Sequence, residues 1–181
     1  MAVPKNMPKD MTVRVLFVCL GNICRSPSAE NLMNYWIEQK GLAGQIECDS
    51  AGTSGYHVGA RPDSRMAAAA RESPGIELKG RSRQLTIYDF DEFDLILAMD
   101  RDNYHNILAL DQRQQYRDKV VMMCDFCRRH SEKEVPDPYY GGPAGFRKVI
   151  DLLMDACEGL VDHIQRIFNI NKIHLALAFW H

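Results

Sequence analysis

The sequence lacks any uninterrupted apolar segment of the roughly 18 residues that a membrane-spanning helix requires. Its first residues, MAVPKNMPKDM, contain no apolar core of the kind that a secretory signal peptide carries. A strong excess of charge is also missing, because 22 lysines and arginines stand against 24 aspartates and glutamates. Without a basic excess, nucleic acid is not expected as a partner. These absences predict a cytoplasmic protein that binds neither membranes nor nucleic acid.

The 181 residues suffice for one domain with a substantial core. Six cysteines are present, and the cytosol would keep them as thiols. Cysteines in such proteins are either buried apolar residues or chemically active ones. We interpret Cys48 and Cys157 as buried residues.

Strand and helix patterns alternate along the chain. Apolar runs predict strands at 12–18, 45–53 and 93–100 and a short one within 118–126. Helical patterns occupy 26–41, 63–72, 101–110 and 143–168, with Ser26 as the expected N-cap of the first and Gly41 at its exit. This order predicts an α/β fold, a four-stranded parallel sheet flanked by helices on both faces with flavodoxin-like layering.

The last of these helices is amphipathic. Its predicted apolar side carries Phe146, Val149, Ile150, Leu153, Ala156, Leu160, Ile164 and Ile167. We expect the domain at 12–168, with a flexible lead at 1–11. The apolar tail at 169–181 has no assigned role and could pack on the domain or pair with another chain, so the expected state is a monomer or a weak homodimer.

The stretch CLGNICRS joins the first strand to a helix start. Helix N-termini present unpaired N–H groups and bind anions. Gly21 permits a tight turn, and Asn22 tolerates a left-handed backbone conformation. Arg25 could hold two phosphate oxygens, and the same donors would stabilise a thiolate at Cys19. The pattern favours attack of Cys19 on a bound phosphate, giving a phosphocysteine that water hydrolyses.

A leaving phenolate needs a proton, and Asp137 in PDP is the candidate acid. The prolines on both sides predict a rigid loop there. Glu132 and Glu134 are nearby alternatives in a charged stretch. Tyr139 and Tyr140 could form a pocket wall or ordinary packing, and the sequence leaves both open.

The motifs VLFVCLGNICRSPSAE, DSAGTSGYHVG, FDLILAMD and DPYYGG, in that order, resemble the low-molecular-weight protein tyrosine phosphatase family. The resemblance covers most of the chain from Val13 to about Ile167. It implies a phosphotyrosine phosphatase I-like fold, activity on tyrosine-phosphorylated proteins, and neither a cofactor nor a metal. It also implies that Cys19 is the nucleophile, Arg25 the phosphate clamp and Asp137 the general acid and then base.

Further roles follow from the same resemblance. The phosphate-binding loop would comprise Leu20, Gly21, Asn22, Ile23, Cys24 and Ser26, with Ser50 supporting Asn22. The walls of the aryl pocket would be Leu20, Tyr56, Tyr139 and Tyr140. Cys24 would be the redox partner that traps oxidised Cys19 as a disulfide.

One position departs from the family pattern. Gly80 stands where the family often carries a histidine that orients the loop asparagine. The sequence therefore leaves open what holds Asn22, with His57 or a water as substitutes.

Three other functions remain as alternatives. An arsenate reductase shares this loop but needs relay cysteines, for which CDFC (Cys124 and Cys127) lies in the wrong segment. A phosphoarginine phosphatase of the same family tends to have threonine in place of Ile23. A zinc-binding module could use Cys124, Cys127 and His130, although no fourth ligand is evident.

Overall fold

In the part of the chain that the structure describes, four parallel strands form one sheet in the order β2-β1-β3-β4. They are β1 (Val13–Cys19), β2 (Ile46–Gly52), β3 (Leu95–Ala98) and β4 (Val120–Met122). All three strand pairings are parallel, so the four carboxyl ends lie at one edge of the sheet. The computed structural model that shows this describes the backbone of residues 12–178, and side chains through residue 167 and at 169. The predicted sheet is confirmed, with β1 in its interior.

Within residues 12–178, five α-helices accompany the strands. They are α1 (Arg25–Gln39), α2 (Ser64–Glu72), α3 (Asp89–Glu92), α4 (Arg101–Leu110) and α5 (Pro143–Ala178). Two 3-10 helices, Arg117–Lys119 and Met123–Phe126, flank β4. Neither these nor α3 was predicted, because segments of three or four residues are too short to show a helical period.

Helices cover both faces of the sheet, as predicted. Val15 and Phe17 of β1 belong to an apolar cluster shared with α1, α2 and α5. Leu16 and Val18 belong to a second cluster on the opposite face, which includes Ile107 of α4. Since side chains alternate along a strand, β1 is buried on both sides, which explains its continuous apolar sequence.

Helix α5 buries its predicted apolar side. Phe146, Val149, Ile150, Leu153, Ala156, Leu160 and Ile164 are buried, and Ile167 is partly buried. The backbone of residues 169–178 continues α5. The predicted lead at 1–11 and the tail residues 179–181 lie outside the described residues.

The start of α1 differs from the prediction. The N-cap position is occupied by Cys24, and the helix begins at Arg25. The interpretation of Ser26 as the cap is wrong, because its hydroxyl is buried and bonded to groups of the preceding loop. Gly41 has φ of +66° just after α1, as expected of a residue at a helix exit.

The two cysteines interpreted as buried differ from each other. Cys157 is fully buried. Cys48 is only partly buried, and its thiol lies 3.2 Å from Oδ1 of Asn34.

Within the described part of the chain, no helix combines the length and apolarity needed to cross a membrane.

Candidate active site

The loop at residues 20–24 connects β1 to α1 at the carboxyl edge of the sheet. Cys19 is the last residue of β1 and Arg25 is the first of α1, and each is 2% exposed. Asn22 has φ of +53°, the left-handed conformation that its residue type predicted. The loop thus reverses direction between a strand end and a helix start.

Ser26 is in contact with the sulfur of Cys19. Its Oγ lies 3.0 Å from Cys19 Sγ and accepts a hydrogen bond of 2.9 Å from Nδ2 of Asn22. With that acceptor position filled, the hydroxyl hydrogen can point to the sulfur or to the carbonyl of Ala51 at 3.3 Å. A thiolate at Cys19 would therefore have a hydroxyl donor.

The amide of Asn22 is held on both sides. Its Nδ2 also donates to Ser50 Oγ at 2.9 Å, and its Oδ1 accepts from the backbone N–H of Arg83 at 2.9 Å. Ser50 in turn donates to Oε2 of Glu30 at 2.6 Å. Because these partners occupy both ends of the amide, Asn22 is positioned although residue 80 is glycine.

Two residues of this network were missed by the sequence reasoning. Burial raises the pKa of Glu30, which favours the neutral acid. The Arg83 guanidinium is fixed by Asp49 at 2.9 Å and by Asp89 at 2.9 Å, which anchors the backbone N–H that Asn22 uses. The charged side chains gave a weak signal, since most such residues are simply solvated.

Arg25 joins the loop to two other parts of the chain. Its Nη1 donates to Oδ2 of Asp100 at 2.5 Å and to the carbonyl of Val135 at 3.1 Å. Its Nη2 donates to Oδ2 of Asp137 at 3.1 Å. Burial lowers the pKa of Arg25, but the interactions of Arg25 with Cys19, Asp100 and Asp137 outweigh burial and raise that pKa. The guanidinium therefore stays charged although it is buried.

Asp137 lies at this site and the alternative acids do not. Its Oδ1 accepts from the backbone N–H of Tyr139 at 3.1 Å, and its side chain is 45% exposed. Glu132 pairs with Lys148 at 3.0 Å, and Glu134 pairs with Arg101 at 3.3 Å. Of the three predicted candidates, Asp137 alone lines the cavity above Cys19.

That cavity has a volume of about 300 Å³. It brings together nearly all the residues predicted for catalysis, for the loop and for the pocket. Its lining is Cys19, Leu20, Gly21, Ile23, Cys24, Arg25, Ser54, Tyr56, His57, Asp137, Tyr139 and Tyr140. Tyr56 and Tyr140 are 85% and 98% exposed, so they stand at its rim.

Arg65 supports the rim and was not predicted. Its Nη1 donates to the carbonyl of Tyr139 at 3.0 Å, and its guanidinium carbon lies 5.2 Å from the centre of that ring. Asp63 fixes the guanidinium through bonds of 2.8 and 3.0 Å. The sequence offered no signal for this contact, which spans 74 residues.

Cys24 lines the same cavity as Cys19. Burial, reinforced by the negative charge of Asp63, raises the pKa of Cys24 to about 12. It is therefore a neutral thiol at neutral pH.

The zinc alternative finds no support in the described residues. They contain no cluster of three or more histidine, cysteine, aspartate or glutamate side chains that could hold a metal ion. His130 instead faces carboxylates, with Nε2 3.1 Å from Asp151 and Nδ1 3.7 Å from Glu132.

The chain is similar in sequence and in fold to several known proteins. A protein of Synechocystis sp. is 60% identical over 149 residues, covering 82% of this chain and 94% of the relative. The low molecular weight phosphotyrosine protein phosphatase of Schizosaccharomyces pombe is 40% identical, covering 84% and 97%. A crystal structure of a protein tyrosine phosphatase from Entamoeba histolytica, with Hepes in its active site, has a TM-score of 0.82 at 47% identity, covering 86% of this chain and 98% of that one. A family model matches residues 14–169, and the chain belongs to the low molecular weight phosphotyrosine protein phosphatase family.

Proposed function

We propose that the protein hydrolyses phosphotyrosine in proteins, and other aryl phosphates, through a phosphocysteine on Cys19. The observation that carries this proposal is the contact of Arg25 with Asp137 at 3.1 Å, above a loop that begins at Cys19. Cys19, Arg25 and Asp137 line the same cavity, which therefore contains a nucleophile, a cation and an acid. Those are the groups that phosphoryl transfer through a covalent intermediate requires.

The loop carbonyls support phosphate binding. The carbonyl oxygens of Cys19 and Leu20 accept from the backbone N–H groups of Thr53 and Ser54, both at 2.9 Å. A side chain at position 52 would prevent this approach, because a Cβ on Gly52 would lie 2.8 Å from the Leu20 carbonyl oxygen. The loop backbone is thus held against the segment that follows β2.

The next carbonyls are engaged in the same manner. That of Gly21 accepts from the hydroxyl of Ser82 at 3.1 Å, and that of Ile23 from the N–H of Asp63 at 2.8 Å. In a trans peptide the C=O and the following N–H point in opposite directions. Carbonyls that bond to the surrounding protein therefore turn N–H groups to the other side, where they can bind phosphate oxygens.

In the proposed first step, the Cys19 sulfur attacks phosphorus in line with the phenolic oxygen. Arg25 and the loop N–H groups stabilise the charge on the phosphoryl oxygens, and Asp137 protonates the leaving phenolate. In the second step, Asp137 takes a proton from water, and the resulting hydroxide displaces Cys19 from phosphorus. Phosphate leaves, and both side chains return to their starting states.

Two features support an aryl substrate. Tyr139 and Tyr140 pack edge to face with ring centres 5.0 Å apart at the cavity, and the exposed ring of Tyr56 lines the same cavity. Ile23 also lines the cavity and offers an apolar contact. Aromatic walls match a phenyl ring better than a short aliphatic phosphate ester.

Cys24, a neutral thiol in the same cavity, is the proposed partner that traps oxidised Cys19.

The test is steady-state hydrolysis of p-nitrophenyl phosphate and a phosphotyrosine peptide, with a chelator present. We expect the wild type to turn over, Cys19→Ser to be inactive, and Asp137→Asn to lose roughly 10²–10⁴-fold in kcat. Glu134→Gln is the matched control, since it removes a neighbouring carboxylate outside the cavity and should retain full activity. Activity that survives Cys19→Ser would overturn the mechanism.

A further inference from the structure

Cys124 and Cys127 form a second pair of thiols outside the active-site cavity. They follow β4, at the 3-10 helix Met123–Phe126, and the N–H of Cys127 donates to the carbonyl of Cys124 at 3.1 Å. In a 3-10 turn, side chains three residues apart are eclipsed and their Cα atoms are about 6 Å apart. This separation falls within the range of about 4.4–6.8 Å that disulfides span.

The two thiols differ in character. Interaction with Cys127 raises the pKa of Cys124, and interaction with Cys124 lowers the pKa of Cys127, although burial of Cys127 opposes the lowering. Cys124 is only 7% exposed, whereas Cys127 is partly exposed. Cys127 is therefore the accessible thiol that ionises more readily, and Cys124 is its buried neighbour.

The protein holds this turn in place. Oδ2 of Asp155 in α5 accepts hydrogen bonds of 2.9 to 3.0 Å from the backbone N–H groups of residues 128–130. Gly159 lies one helical turn after Asp155 in α5 and leaves room for the segment that carries the two cysteines. A Cβ at position 159 would lie 2.0 Å from the Phe126 carbonyl oxygen. A turn fixed on both sides keeps the two cysteines close to each other.

We propose that Cys124 and Cys127 are a redox-active dithiol that closes to a disulfide on reaction with a hydroperoxide, independently of Cys19 and Cys24. The Cys127 thiolate attacks one oxygen of hydrogen peroxide, the O–O bond breaks, and Cys127 sulfenic acid and water form once a proton is taken up. The Cys124 sulfur then attacks Cys127 Sγ, loses its proton, and expels the sulfenic oxygen as a second water. Two thiols and one peroxide become one disulfide and two waters.

The test uses the full chain with Cys19→Ser and Cys24→Ser, which removes the active-site thiols. After hydrogen peroxide treatment, the protein is denatured, free thiols are alkylated, the protein is digested with trypsin, and the peptides are weighed. Trypsin releases VVMMCDFCR, residues 120–128, which contains both cysteines. We expect this peptide to be unalkylated and lighter by two hydrogens, and to take up two alkyl groups after dithiothreitol. Cys48 is the internal control and should be alkylated throughout.

A third substitution tests the order of events. With Cys124→Ser added, peroxide should leave sulfenic or sulfinic acid on Cys127, since the resolving thiol is gone. The proposal is overturned if peptide 120–128 carries two alkyl groups after peroxide, or if Cys127 over-oxidises while Cys124 is still present. Because the background is without Cys19, neither outcome depends on phosphatase activity.

Discussion

Arg25 Nη1 lies 2.5 Å from Oδ2 of Asp100, while the other oxygen of that carboxylate caps helix α4. Oδ1 of Asp100 accepts from the backbone N–H of Asn103 at 2.7 Å. One carboxylate therefore fixes both the start of a helix and the orientation of the buried guanidinium. A bidentate phosphate clamp works only if the plane of its guanidinium is correctly directed.

Asp100→Asn should separate these two roles. Asparagine caps helices about as well as aspartate, so the melting temperature should change little. The charged hydrogen bond to Arg25 is lost, which is worth about 1.5–3 kcal/mol. We expect kcat/KM for p-nitrophenyl phosphate to fall on the order of 10- to 100-fold. Asp100→Ala is the comparison, because it should lose about 1 kcal/mol of stability in addition. An unchanged kcat/KM in Asp100→Asn would refute the orienting role.

Asn22→Ala and Asn22→Gly should differ in stability. Both remove the amide that bonds to Ser26, Ser50 and Arg83. At φ near +53°, the Cβ of alanine is strained against the backbone, at a cost of about 1–2 kcal/mol, whereas glycine has no Cβ and avoids this cost. We expect Asn22→Ala to be less stable than Asn22→Gly by about 1 kcal/mol in urea unfolding. Equal midpoints would mean that the loop relaxes to another conformation.

Gly159→Ala should destabilise the protein, and Gly145→Ala should not. Both glycines lie in α5, where alanine is favoured by about 1 kcal/mol on helix propensity. A Cβ at 159 would meet the Phe126 carbonyl oxygen at 2.0 Å, whereas at 145 the nearest atom is Pro138 Cβ at 3.9 Å. We expect overpacking at 159 to cost about 1–3 kcal/mol, measured by thermal unfolding. Similar melting temperatures for the two variants would contradict the close contact.

Asp155 should make stability depend on pH in the acid range. Burial raises its pKa, but hydrogen bonds from the N–H groups of residues 128–130 outweigh burial and lower it. A lowered folded-state pKa stabilises the fold above the unfolded value of about 3.9, and this contribution is lost as pH falls through the folded pKa. We expect Asp155→Asn to be less stable by about 2 kcal/mol at pH 7. The difference from wild type should shrink below pH 4, and a constant difference would contradict the assignment.

The sequence was most informative where one local signal determines structure. A continuous apolar run predicted β1 between two cores, and alternating patterns predicted the parallel sheet. Strand-end placement predicted that Cys19 and Arg25 share a site, and the flanking prolines predicted a loop at Asp137. Their catalytic roles stay predictions until the variants are measured.

The missed residues act over long separations. Asp100 meets Arg25 across 75 residues, and Arg65 meets Tyr139 across 74. Ser26 was misassigned because capping preferences consider only the next turn of helix, while its hydroxyl bonds backwards to Cys19 and Asn22. The spacing of residues in a single sequence does not reveal such partners. Charged and hydroxyl residues are also common on protein surfaces that have no functional role.

The guanidinium of Arg25 reaches partners 75, 110 and 112 residues away along the chain. Contacts of such sequence separation require the closure of long loops, whose entropy cost must be met before the contacts contribute. The catalytic constellation therefore depends on long-range ordering of the chain, as does the pairing of β1 with β3. A nascent or partly denatured chain could hold β1 and α1 in place and still present no complete site. Enzymatic turnover would then report the completion of folding more stringently than helix content does.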